Sequence, residues 1–163
     1  MNNYLDKYRK IVDELIKEHF PRLKGKIIII AEKKIWNLRY SATTTYLVFF
    51  SWIAIHPKMR NYLNDGVKAI LVHELSHLDI IAEKNLFEKI KFGFSWLFTK
   101  KGKFNFERDA DKRTIEKGYA KGLIKGIRVA AKTYDKNWLK ERVKRGYLTL
   151  DKIKSYAKKI GKW

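Results

Sequence analysis

The register of two histidines constrains this chain more than any bulk property. His73-Glu74-Leu75-Ser76-His77 sets them four residues apart. On an α-helix such residues stand one above the other on a single face. The surroundings read as helix: Val67, Ile70, Leu71, Leu75 and Leu78 recur at helical spacing, no proline interrupts 66–79, and Asn64-Asp65 offers an N-cap. The chain has only four histidines, so composition does not account for two of them flanking a glutamate in this register. Two imidazoles on one face can bind the same metal ion. The carboxylate of Glu74 beside them can take a proton from a water that the metal polarises.

A catalytic zinc usually takes three protein ligands and leaves one position for water. One pattern supplies the third ligand six residues after the second histidine, which here is Glu83. That pattern needs a glycine midway so that the chain can turn back, and this chain has Ile80 there. Glu83 therefore continues up the helix and away from the ion. The other pattern takes a glutamate from a second helix. Phe106-Glu107-Arg108-Asp109-Ala110-Asp111 suits it, because Glu107 and Asp111 are four apart and share a face. Glu107 would be the ligand. Asp111 would accept a hydrogen bond from the non-coordinating nitrogen of a ligand histidine, His73 in the first place, and so fix its tautomer and orientation. The competing explanation is a solvated charged helix, since Arg108, Asp109, Lys112 and Arg113 are interleaved.

H-E-x-x-H followed by E-x-x-A-D resembles the gluzincin metallopeptidases. Phe106 to Asp111 is similar to the second motif of HtpX-like and CAAX-prenyl-protease-like membrane enzymes. Those carry transmembrane helices, whereas this chain looks more like the minigluzincins, their small soluble relatives. The resemblance runs from about residue 35 to about residue 120, extends toward Gly146-Tyr147-Leu148, and is specific only at the two motifs. It implies His73, His77 and Glu107 as Zn2+ ligands, Glu74 as general base and acid, and Asp111 behind a histidine. The fold it implies is α+β: a small zincin-like domain with a short mixed sheet over the H-E-x-x-H helix, followed by a mostly helical C-terminal part. It also implies peptide or protein substrates, with the strand nearest that helix pairing extended substrate through its main chain.

With 163 residues, 45% of them hydrophobic, the chain suffices for one domain with a core. We read 1–163 as a single domain: an N-terminal helix and strand over 1–34, a catalytic core over 35–120, and C-terminal helices over 121–163. There is no cysteine, which excludes disulfides, thiolate ligands and a thiol nucleophile and is compatible with a reducing cytoplasm. The N-terminus has mixed charge and no apolar h-region, so it does not read as a signal peptide. Neither Ile27–Ile30 nor the uncharged stretch Ser41–His56 reaches spanning length. The expected location is cytoplasmic, or peripheral to a membrane. Lys plus Arg number 37 against 17 Asp plus Glu, a formal charge of +20. Such an excess attracts nucleic acid, anionic lipid headgroups or acidic substrates. Thermophile composition is the bland alternative, but it normally raises glutamate together with lysine.

Tyr4, Leu5, Tyr8, Ile11, Val12, Leu15, Ile16 and Phe20 predict an amphipathic helix over 4–20 that Pro21 ends, with His19 a structural residue in its last turn. Strands are expected over 26–31, 35–42 and 46–55. Tyr46–Ser51 is then the substrate-pairing candidate, Ala42–Thr45 its turn, and His56-Pro57 the end of the strand region. Between the two motifs, Leu86, Phe87, Ile90, Phe92, Phe94, Trp96, Leu97 and Phe98 crowd together ahead of Lys100-Lys101-Gly102-Lys103. Either this segment packs over core and cleft, or it is an exposed aromatic patch that dips into an anionic membrane surface. Packing is the reading we favour, because a small protein needs core and aromatic residues usually supply it. Helices are expected over 123–133, 135–145 and, capped by Thr149, 150–160; Gly122 and Gly126 weaken the first.

The chemistry these residues suit is peptide hydrolysis, with Glu74 moving the proton. Tyr119, Arg128 and Tyr134 are candidates to stabilise the oxyanion. Minigluzincins are known for latency, and the segment 146–163 is long enough to block the cleft as in a zymogen or, equally, to complete the core. The rival readings are a SprT-like protease acting on DNA-bound proteins, which would use a third histidine, and a non-catalytic basic module whose zinc is structural and closed by four ligands.

Overall fold

A computed structural model describes residues 3–33, 41–46, 50–134 and 137–163. It shows an α+β chain whose described residues form seven α-helices and one three-stranded sheet. Helix α1 (Asn3–His19) lays Tyr8, Ile11, Val12 and Leu15 into the core and stops before Pro21, which opens a short 3-10 turn. Strand β1 (Ile28–Glu32) follows. The central strand is β3 (Ser51–Ile55), parallel to β1 and antiparallel to β2 (Ala42–Tyr46). The register puts Ile30 and Thr44 on either side of Ile53.

Two strand expectations change. Ala42–Thr45, expected as a turn, is most of β2. The polarity of three threonines suggested a turn, but their β-branched side chains suit a half-buried outer strand. The expected strand over 46–55 is divided: Tyr46 closes β2 and Ser51 opens β3, while 47–49 lie outside the described residues. Of the strand expected over 35–42, residues 35–40 also lie outside them.

Helix α2 (Asn64–Ala82) is the centre of the molecule. Val67, Ala69, Leu71, Val72, Leu75 and Leu78 are all buried, and so are His73, Glu74, Ser76 and His77. Its N-cap position is Leu63, with no side-chain cap; Asn64 is already in the helix and accepts from Lys7 Nζ at 2.9 Å. The expected Asn64-Asp65 cap does not form, both residues lying inside the helix. Helix α5 (Ala120–Thr133) crosses α2 where glycines meet: a Cβ on Gly122 would lie 2.5 Å from the Asp65 carbonyl oxygen, and one on Gly66 3.2 Å from Gly126 Cα. Those glycines permit backbone-to-backbone approach, which outweighs their intrinsic cost to a helix.

Helices α3 (Leu86–Phe98) and α4 (Lys100–Glu116) form an antiparallel hairpin joined at Thr99. A capping box of Asn85 and Glu88 starts α3, and Thr99 Oγ1 accepts from Gly102 N at 2.8 Å to start α4. The apolar segment is therefore helical, but no residue of α3 is buried. This overturns the packing expectation: its apolar side chains supply no core.

Helix α6 (Trp138–Lys144) and helix α7 (Leu150–Lys159) complete the chain, with residues 135–136 outside the described set. Thr149 caps α7, and Ile153 and Ala157 are fully buried, with α7 lying against α4 and α5. The tail helix is part of the core.

Candidate metal centre

Helix geometry alone brings His73 and His77 together on α2, their rings 4.8 Å apart. Helix α4 runs beside α2 and delivers Glu107 from its middle. Glu107 Oε2 lies 3.4 Å from His73 Nε2 and 3.2 Å from His77 Nε2. One ligand atom from each residue falls within a 4.8 Å set. Tetrahedral zinc with bonds near 2.05 Å separates its ligand atoms by about 3.3 Å. The two nitrogen–oxygen distances match that separation, and the three residues can hold a metal ion.

One turn along α4, Asp111 is completely buried and places Oδ1 3.1 Å from His73 Nδ1. The approach is close enough for a charge contact, although the ring N–H is not aimed squarely at the oxygen. Asp111 has two further partners far along the chain. Leu148 N donates to Oδ2 at 2.7 Å, and Arg142 donates to both carboxylate oxygens at 3.1 and 3.2 Å. Burial raises the Asp111 pKa, but Arg142, His73 and the Leu148 amide outweigh it, and the net shift is downward. For His73, burial acts to lower the pKa. The close carboxylates of Asp111 and Glu107, with the negative charge of Glu74 nearby, overcome this and raise it to about 10. Glu107 shows the complement: burial would raise its carboxyl, but the charges and hydrogen bonds of His77 and His73 hold it well below the ordinary range.

Glu74 is 6% exposed and faces the sheet. Thr44 of β2 donates to Glu74 Oε2 at 2.6 Å. The outer strand β2 therefore touches the carboxylate between the two histidines. Beside them opens a cavity of about 70 Å³, mostly apolar, bounded by Ala42, Ile70, Leu123, Ile127, Trp138 and Tyr147 together with His73 and Glu74. No α7 residue lines it. Tyr147 stacks on His73 at 5.5 Å, and the Arg142 guanidinium lies 4.4 Å over the Tyr147 ring. Phe106 packs on His77 at 4.1 Å.

The remaining sequence candidates lie elsewhere. Glu83 is engaged by Arg113 and by Arg22 at 3.0 Å, at the far end of α2. His19 meets the Tyr119 hydroxyl at 3.1 Å, and His56 Nδ1 accepts from Lys58 N at 3.1 Å. Arg128 is exposed on α5, and Tyr134 stacks on Trp138. None of Tyr119, Arg128 and Tyr134 lines the cavity. Sequence reasoning missed Thr44, Arg142 and Tyr147. The only available signals were the threonine run ahead of the helix and the Gly146-Tyr147-Leu148 turn. Comparison of the chain with protein-family models, curated proteins and solved structures gave no match.

Proposed function

We propose that the protein is a zinc-dependent metallopeptidase of gluzincin type with a zincin-like arrangement of sheet and helix, similar to the minigluzincins. One observation carries this reading: His73, His77 and Glu107 converge closely enough to hold one metal ion, with Glu74 held beside them on the wall of an apolar cavity. When bound, zinc supplies a Lewis acid that acidifies water and polarises the scissile carbonyl. Glu74, oriented by Thr44, takes the proton of the attacking water and passes it to the leaving amine. Asp111 orients His73, and Arg142 with the Leu148 amide orients Asp111. An extended peptide pairs along the outer edge of β2, which brings its carbonyl past Glu74. The apolar cavity takes one substrate side chain, and the Tyr147 hydroxyl at its wall is the donor for the oxyanion.

Two rivals lose ground on particular residues. A closed structural zinc needs four protein ligands, and among the described residues the group has three. A third-histidine site would need His19 or His56, both bonded elsewhere. The test is Glu74→Gln. The variant is expected to bind one zinc per chain and to lose cleavage of casein or a generic peptide by on the order of 10²–10⁴-fold. Wild-type cleavage by a zinc-replete Glu74→Gln protein would sink the mechanism.

A further inference from the structure

On α3, Leu86, Phe87, Ile90, Phe94, Leu97 and Phe98 share one face. At 100° per residue they fall within an arc of about 120°. Every one is more than half exposed, from 51% for Ile90 to 83% for Phe87. The opposite side holds the hairpin together: Phe92 meets Phe106 at 4.9 Å, and Gly102 of α4 sits so close to Ser95 that a Cβ there would lie 2.3 Å from its carbonyl oxygen. The helix is thus fixed through Phe92 and Ser95 with the broad apolar arc facing out, the reverse of a surface helix in water. No acid interrupts the arc; Glu88 lies off it and accepts from Asn85 N at 2.8 Å. Lys91 borders the arc, and Lys100 and Lys101 are exposed at the hairpin tip.

We infer that this face docks into the surface of an anionic lipid bilayer. A 13-residue helix is about 20 Å long and cannot cross a membrane of about 30 Å; no helix among the described residues is long and apolar enough to do so. It can lie in the interface, with apolar side chains below the headgroups and lysines among the phosphates. A second copy of the chain is the poorer occupant, because joining two chains of charge +20 brings like charges together. Nucleic acid would satisfy the lysines but leave the aliphatic part of the arc without a partner. Phe106, held between Phe92 and His77, links this hairpin to the metal group. The inference is independent of the chemistry proposed for that group.

The experiment is co-sedimentation of the full chain with phosphatidylcholine vesicles and with vesicles of phosphatidylcholine and phosphatidylglycerol. The protein is expected to pellet with the anionic vesicles and much less with the neutral ones. Phe87→Ser/Phe94→Ser/Phe98→Ser removes three exposed side chains, so the fold and zinc binding should persist while vesicle affinity drops on the order of tenfold or more. Lys100→Glu/Lys101→Glu should weaken only the anionic binding, and Ile27→Ser, at an exposed apolar residue outside the α3–α4 hairpin (64%), should change nothing. Absence of vesicle binding overturns the inference. So does undiminished binding by the folded triple variant, a wild-type dimer that this variant makes monomeric, or retention on single-stranded DNA without vesicle binding.

Discussion

Replacing Arg142 by methionine tests how the metal group is held. The guanidinium is 8% exposed and Asp111 is fully buried, so solvent does little to screen the pair. Arg142 donates to the Leu148 carbonyl at 2.5 Å and to both Asp111 oxygens. Methionine fills much of the volume but removes all three bonds and leaves a buried carboxylate with one cationic partner fewer. Breaking a buried pair from one side costs about 3–5 kcal/mol. With a urea slope of about 2 kcal/mol/M, the unfolding midpoint should fall by about 1.5–2.5 M. Zinc affinity, read by competition with a chromophoric chelator, should weaken about 10–100-fold, because Asp111 no longer holds the His73 ring in place. Arg142→Met/Asp111→Leu separates the two effects. Removing both partners should return most of the stability, since no charge is then stranded. The affinity should stay low, since His73 has lost its carboxylate. An unchanged midpoint in the single variant, or wild-type zinc affinity in the double variant, would refute the reasoning.

The other consequences are more local. Thr44→Val keeps the β-branched shape of β2 but deletes the bond to Glu74 Oε2; peptide cleavage should fall about 10–100-fold with less than about 1.5 kcal/mol change in urea stability. Tyr147→Phe keeps the stack on His73; zinc affinity should hold while kcat falls on the order of 10²-fold, and an unchanged kcat removes the hydroxyl from the mechanism. Gly122→Ala drives a Cβ into the Asp65 carbonyl and should cost about 1–3 kcal/mol or more by thermal or urea unfolding. Ending the chain at Arg145 strips Leu148 from Asp111 and Ile153 and Ala157 from the core; activity and zinc retention should fall, and a folded truncation that cleaves faster than the full chain would show that the tail restrains the site.

What the sequence disclosed follows the range over which each residue acts. His73, His77, Glu107 and Asp111 were legible because His73/His77 and Glu107/Asp111 each obey an i, i+4 rule on one helix, and helix periodicity is a local property. Arg142 obeys no such rule. It is one basic residue among 37, on a short helix rich in lysine, and only the fold places it on Asp111. Thr44 misled because a cleft-side strand must be polar to bind a carboxylate, and polarity reads as turn. Gly122 misled in the same way: its cost to α5 is local, while the approach to α2 that it permits is not. The apolar run of α3 is the sharpest case, since hydrophobic composition states only that a surface avoids water, not which phase covers it. Its arc was computable from the sequence, and so was its 120° width. What was missing is whether another element of the chain packs on it, and none of the described ones does. An exposed arc on a helix that is otherwise firmly capped and paired is the surface that the inferred bilayer contact would cover, which is why the vesicle experiment bears on this fold as well as on its location.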